Sequence, residues 1–260
     1  MRNFGRNENA MKRICLPVVF CLLLVACAKE EVLTFESATY FKKANVPCAN
    51  EECPKATVTI PVASGVPIVA DSINKRVFNV VRNNIIVFGE KPYEATNFNE
   101  LLSRFMASYD ELRKEDPEET GWEAKVEGRV TYESDSLLNI VLEHYVYEGG
   151  AHGYNGRISL LFNPKTGKAI SQPQLLRNKA DFKTFAEKKF REKFHIAEKD
   201  SLNSAGFMFD HSKFVLPQTY IYTDKGFLLY YNIYEIASYA EGPKEILIPY
   251  EEMKPYLIIR

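Results

Sequence analysis

Residues 126–132 read Val-Glu-Gly-Arg-Val-Thr-Tyr, and residues 137–147 read Leu-Leu-Asn-Ile-Val-Leu-Glu-His-Tyr-Val-Tyr. In the first run Val126, Gly128, Val130 and Tyr132 alternate with Glu127, Arg129 and Thr131. In the second, Leu138, Ile140, Leu142, His144 and Val146 share a face. A period of two marks a strand with one buried side. Both apolar sets are even-numbered, so an antiparallel hairpin that pairs them needs a loop of odd length. Otherwise one strand turns its apolar face to water. Ser134-Asp135-Ser136 supplies a three-residue loop. A third strand at 157–162 puts Ile158, Leu160 and Phe162 on one side, and Asn163-Pro164-Lys165-Thr166-Gly167 reads as a turn.

Outward from this hairpin, helices and further strands follow in blocks. Toward the N-terminus, residues 57–62 alternate with Val58, Ile60 and Val62 on one face. A helix over about 72–88, capped by Asp71 or Ser72 and ended by Gly89, carries Ile73, Val77, Val80, Val81 and Phe88 at helical spacing. A second helix, 98–115, stripes Phe98, Leu101, Leu102, Phe105, Tyr109 and Leu112, and Asp116-Pro117 stops it. Toward the C-terminus, a helix over about 181–195 begins at Asp181 as cap and presents Phe182, Phe185, Ala186 and Phe190. A hairpin at 219–233 is broken by Asp224-Lys225-Gly226. A strand at 245–248 then leads to a short helix near 251–256. Separate blocks of this kind predict an α+β fold. The expected form is antiparallel sheets with helices packed on one face, in two small subdomains at 46–155 and 156–260.

The chain has 260 residues, 46% hydrophobic, with 33 basic and 34 acidic side chains. This balance excludes a strongly basic nucleic-acid binder, and the apolar content excludes wholesale disorder. Arg2, Arg6, Lys12 and Arg13 precede an apolar run from Ile14 to Ala26 that ends in Leu24-Val25-Ala26-Cys27. A positive start followed by a short apolar run reads as a signal peptide, residues 1–26, with residues 27–45 as tether and first strand. The alternatives are an uncleaved anchor, or an ordinary signal with an accidental cysteine. Cys15 and Cys21 would leave with the leader, so Cys48 and Cys53 remain as an even pair around Ala-Asn-Glu-Glu. A small disulfide is the favoured reading in an oxidising compartment. A zinc site would need more ligands, so no metal or cofactor is expected.

No Gly-x-Ser-x-Gly elbow, His-Glu-x-x-His or phosphate-binding loop is present. Of the four histidines, His144 lies on an apolar strand face and is expected to be a satisfied core residue. His195 ends a helix, and His211 follows Asp210 in a loop. His152 is set among glycines. It belongs either to a loop shaped to present an imidazole to a ligand or to a tight turn whose imidazole bonds across the loop. A metal site joining His144, Glu148 and His152 is opposed by strand parity. Glu235 has no second carboxylate at the spacing a glycosidase needs.

Two stretches carry a family resemblance. One is Tyr147-Glu148-Gly149-Gly150-Ala151-His152-Gly153, with Phe-Asn-Pro-Lys-Thr-Gly-Lys-Ala-Ile at 162–170. The other is Tyr234-Glu235-Ile236-Ala237-Ser238-Tyr239-Ala240-Glu241-Gly242-Pro243, with Ile246-Leu247-Ile248-Pro249-Tyr250-Glu251-Glu252. Together they resemble the paired domains of unknown function in the extracytoplasmic region of the lysozyme-sensing anti-sigma factor RsiV. Similar domains precede the catalytic domain of the peptidoglycan deacetylase PdaC. The resemblance spans about residues 32–260 and implies a free-standing sensor-type or binding domain. An anti-sigma role would require a cytoplasmic segment and a membrane span, and deacetylase chemistry would require a further domain. Neither is expected here. The small residue before Cys27 resembles the lipobox of bacterial lipoproteins, which makes Cys27 the lipidated residue. Lys29-Glu30-Glu31 looks like the tripeptide that sends some Bacteroidetes lipoproteins to the cell surface.

The expected function is therefore a non-catalytic envelope lipoprotein, anchored to the outer membrane by its lipid. It would bind a protein, a peptide or a peptidoglycan fragment. An enzyme acting on peptidoglycan or another glycan, and a purely structural component, are the alternatives. With Asp224-Lys225-Gly226 as a three-residue loop, Tyr220 faces Tyr230 and Tyr222 faces Leu228. Tyr220, Tyr222 and Tyr230 would then form a half-exposed ligand face, with His152 as a further ligand contact. Ile221, Phe227, Leu229, Tyr231 and Ile233 would face the core. The alternative is that the 181–195 helix covers the tyrosine face with its phenylalanines.

Overall fold

The computed structural model describes residues 1, 31–44, 53–89, 91–116 and 120–260. Val32–Arg260 forms one compact unit. Its elements, in chain order, are β1 (Thr34–Lys43), β2 (Lys55–Ser64), α1 (Pro67–Val80), α2 (Phe98–Glu115), β3 (Glu123–Glu133), β4 (Leu138–Tyr147), β5 (Tyr154–Phe162), α3 (Lys179–Lys193), β6 (Thr219–Tyr222), β7 (Phe227–Tyr231), β8 (Lys244–Ile248) and α4 (Tyr250–Met253). The strands form a five-stranded sheet, β1-β2-β3-β4-β5, and a three-stranded sheet, β6-β7-β8. All pairs are antiparallel except β2–β3. The fold is α+β. None of the helices among the described residues is long and apolar enough to cross a membrane.

The even-numbered face of the first sheet packs on α1 and α2. Val126, Ile140, Leu142, Leu160 and Phe162 meet Ile73, Val77, Leu101, Phe105 and Tyr109 in one core. The even-to-even pairing is observed: Val126 faces His144, Gly128 faces Leu142 and Val130 faces Ile140. The loop differs from expectation. Glu133 pairs with Leu138, so four residues intervene, and a bulge between Val130 and Tyr132 restores the parity. Tyr132 is thereby turned to the other side, where its ring meets that of Tyr222 at 5.5 Å.

Helix starts follow local chemistry. α2 begins where expected, with the Asn97 side chain accepting from the Glu100 amide while Glu100 accepts from the Thr96 amide. The first helix starts earlier than Asp71 or Ser72. Gly65 turns the chain at φ +91° and Pro67 opens the helix, whose regular part gives way to a π turn, Val81–Ile85. Asp71 pairs with Lys75 instead, and Ser72 donates to the Gly167 carbonyl. α3 is capped by Asn178, which accepts from the Ala180 and Asp181 amides, so Asp181 sits inside the first turn.

The second sheet lies between the first sheet and α3. One face, with Tyr220, Tyr222, Phe227, Leu229 and Tyr231, packs with Phe182 and Phe190 of α3. The other, with Ile221, Leu228 and Tyr230, packs on Val141 of β4. Two asparagines tie the layers. Buried Asn139 accepts from the Tyr222 amide and donates to the Leu160 carbonyl. Asn232 accepts from the Arg157 amide at 2.7 Å and donates to its carbonyl at 3.1 Å, mimicking a strand partner on the edge of β5. The expected boundary between residues 155 and 156 therefore falls inside β5, which completes the first sheet and shares its face with the second.

Candidate functional site

The ligand face expected on Tyr220, Tyr222 and Tyr230 is not formed. Tyr222 pairs with Phe227, Tyr220 with Leu229 and Thr219 with Tyr230, one residue out of the expected register. A slip of one residue reverses every side chain of a strand. Tyr220 and Tyr222 thus enter the core beneath α3, with the Phe182 and Tyr220 rings 6.4 Å apart. Tyr230 is buried on the opposite face, under the Arg157 guanidinium at 4.6 Å. Burial drives the hydroxyls of Tyr220 and Tyr222 well above their ordinary range.

A different aromatic surface is exposed. The loop after β4 brings His152 against two tyrosines 82 and 87 residues further along the chain. Its Nδ1 meets the Gly153 carbonyl at 3.0 Å and its Nε2 meets the Tyr234 hydroxyl at 3.1 Å. A carbonyl only accepts, so Nδ1 carries a proton, and in the neutral ring Nε2 accepts from Tyr234. The His152 ring stacks on Tyr239 at 4.0 Å and 20°. The imidazole bonds to the carbonyl of the next residue and to the Tyr234 hydroxyl of a distant segment, and the side chain remains exposed.

Local sequence builds this arrangement. Gly149 and Gly150 take φ of +90° and +84°. Gly153 lies on the Tyr145 ring, where a Cβ would come within 2.4 Å of a ring carbon. Tyr234 sits at φ +65°, an uncommon conformation for a bulky residue, and is 56% exposed. Glu235 fixes that turn. Its two carboxyl oxygens accept from the Gln218 amide at 2.8 Å and the Asn232 amide at 2.9 Å. Burial raises the Glu235 pKa and the two amides oppose the rise. Both oxygens are thus committed to backbone, which argues against the general-acid role considered for this residue.

On β4, Glu143 accepts from Arg129 at 2.7 Å and pairs with Arg157 at 2.8 Å, which hold it below the usual carboxylate range. A cleft of about 970 Å³ lies elsewhere, over α3 between Phe185, Arg191, His195, Ile196 and Tyr256. It is an open groove on one helix and takes nothing from the glycine loop.

His144 is not the satisfied core residue expected. Its Nδ1 is buried without a partner, and burial lowers its pKa to about 4. Among the described residues, no three His, Cys, Asp or Glu side chains are placed to share a metal ion. His195 follows α3 at φ +55°, and exposed His211 lies 3.6 Å from Asp210. Cys27 and Cys48 lie outside the described residues; Cys53 just precedes β2. Tyr234 and Tyr239 were legible as part of the second motif, but only the fold shows that this motif meets the first.

The four-layer α+β fold has known counterparts. Residues 48–155 match the family described as Deacetylase PdaC, and residues 168–251 match the family described as protein of unknown function DUF3298. The two matches follow one another along the chain, in line with the paired-domain resemblance, and the patch joins His152 of the first matched segment to Tyr234 and Tyr239 of the second. A DUF3298 family protein from Pseudomonas aeruginosa PAO1 superposes with a TM-score of 0.61 at 20% identity, over 86% of this chain and 94% of that one. A DUF3298 family member from Bacteroides fragilis NCTC 9343 gives 0.63 at 21% identity, over 86% and 93%. Both share the fold. Among curated proteins none matches this chain.

Proposed function

We propose that this chain is a non-catalytic envelope lipoprotein that binds a protein, peptide or peptidoglycan-derived ligand on the His152–Tyr234–Tyr239 patch. The observation that carries the reading is the convergence of the two family motifs on one exposed aromatic surface, with His152 fixed at both nitrogens. Aromatic rings with polar tips provide large, rigid contact area at little entropic cost. A turn held at positive φ by a half-buried carboxylate keeps Tyr234 in place before a partner arrives. The proposal includes lipidation of Cys27, outer-membrane localisation and a Cys48–Cys53 disulfide. The basic start, the short apolar run and the cysteine at its end support the first two. The even cysteine count supports the third.

The test titrates the full chain with soluble peptidoglycan fragments and, separately, with lysozyme. Binding of either probe that weakens about tenfold or more in Tyr234→Ala, with the thermal midpoint unchanged, supports the reading. Binding that is indifferent to Tyr234, Tyr239 and His152 contradicts it. So does turnover of the fragments that is lost in His152→Ala.

A further inference from the structure

Three side-chain atoms among the described residues are buried without a hydrogen-bond partner: the Tyr93 hydroxyl, His144 Nδ1 and Glu148 Oε1. Buried polar groups are ordinarily satisfied, so each calls for a reason. Glu148 is the residue between β4 and the glycine turn that carries His152. Its carboxyl is pushed up to about 7 by burial, and no neighbouring charge offsets this. Burial pushes the Tyr93 hydroxyl to about 12, and the Glu148 charge adds to the rise. Ser108 of α2 is close enough to Tyr93 to lower it in part, without the geometry of a full hydrogen bond.

The ionisable groups on the elements next to Tyr93 and on the strand and loop that flank Glu148 are engaged elsewhere or neutral. Before α2 stands Tyr93. On α2, Arg104 and Glu111 share a cavity wall with Tyr93 and Ser108, but each pairs along its own helix, with Glu100 and Lys114. On β4, burial keeps His144 neutral to about pH 4. Tyr147 is bonded to the Gly150 carbonyl and to Thr120, and His152 to Gly153 and Tyr234. Among the described residues no cation pairs with Glu148. The next two residues are glycines at positive φ, and around Gly150 a Cβ would meet nothing within 4 Å.

We propose that Glu148 is a proton-controlled latch on the Gly149–Gly153 loop. As the neutral acid it stays seated beside Tyr93. As the carboxylate, its proton released to solvent and no cation at hand, it leaves the seat and the loop swings at its glycines. His152 then separates from Tyr234 and Tyr239. Glu148 is half-buried with one carboxyl oxygen shut off from water, and a charge there without a partner costs more than a neutral carboxyl in the same place. The latch goes beyond the binding reading and holds for any occupant of the patch.

Carbon-13 labelling of glutamate carboxyls in the full chain, with NMR from pH 5 to 9, reads the latch directly. The expected result is a Glu148 midpoint near 7, with the Gly150 and Ala151 amide resonances moving at the same midpoint. The contact between the His152 and Tyr239 rings disappears above it. In Glu148→Gln the amide transition is absent and the ring contact persists across the range. A Glu148 midpoint in the ordinary carboxylate range overturns the proposal. An amide transition that survives in Glu148→Gln also overturns it. If Glu148→Gln does not fold, the wild-type titration decides alone: carboxyl and amide midpoints that differ contradict the latch.

Discussion

The β3–β4 and β6–β7 hairpins have the same kind of turn and opposite outcomes. In the first, the Ser134 amide donates to the Leu137 carbonyl and the Ser134 hydroxyl accepts from the Ser136 and Leu137 amides. In the second, the Thr223 amide donates to the Gly226 carbonyl and its hydroxyl accepts from the Lys225 and Gly226 amides. A Ser or Thr in the first loop position thus closes a four-residue turn where three were expected. In β3 a bulge absorbs the extra residue and the apolar faces still match. In β6–β7 the pairing runs without a bulge, and β6 turns over. The slip is tolerated because both faces of the second sheet are covered, one by α3 and one by Val141. Register is written in the hydrophobic pattern only where one face meets water.

Tyr222→Ala separates the two hairpins most strongly. With Tyr222 fully buried, truncation is expected to lower unfolding free energy by about 3–5 kcal/mol in chemical denaturation. Tyr234→Ala should stay within about 0.5 kcal/mol of wild type, as an exposed substitution does. A small effect at Tyr222 would return β6 to the expected register. Asn139→Ala comes next, at about 1–3 kcal/mol, because it leaves the buried Tyr222 amide unpaired. A neutral result there would mean that the sheets are not joined through this side chain.

The pH dependence of stability sharpens the comparison within β4 itself. His144 has a folded pKa of about 4, below its ordinary value of 6.5, so its contribution is present above 6.5 and lost as pH falls through 4. Glu148 has a folded pKa of about 7, above its ordinary 4.5, so its contribution is present below 4.5 and lost as pH rises through 7. The two slopes oppose each other between about 4.5 and 6.5. Glu148→Gln is expected to leave a stability that rises with pH in that window, by less than a full proton's worth because both side chains retain some solvent. A slope unchanged from wild type would remove Glu148 from the account. A small gain in chemical denaturation is expected at Tyr234→Gly. Removing a side chain from positive φ favours the turn by about 1 kcal/mol, offset in part by the greater freedom of glycine in the unfolded chain.

The buried face of the first sheet was legible, because α1 and α2 cover it and the alternation of Val126–Val130 and Leu138–Val146 records which side that is, whereas the parallel β2–β3 pairing and the bulge in β3 were not. α2 was legible to the residue, since Asn97 and Asp116 bound a clean stripe. The start of α1 was obscured because its N-cap, Val66, makes no side-chain bond. The glycine loop was marked by composition, but its partner was not. Tyr234 and Tyr239 reach His152 through a contact between distant segments, and periodicity contains no record of that. The strand tyrosines drew attention because they cluster in sequence. In the fold they are dispersed to two cores.

Tyrosine nitration of the folded full chain, mapped by peptide mass spectrometry, tests most directly whether the exposed aromatic face lies at the meeting of the two motifs. Tyr234, 56% exposed, should be modified readily, and Tyr220, Tyr222 and Tyr230, at 2%, 0% and 6%, should be protected until the protein is unfolded. Modification of Tyr220 or Tyr222 in the folded protein, with Tyr234 protected, would contradict both the register and the site.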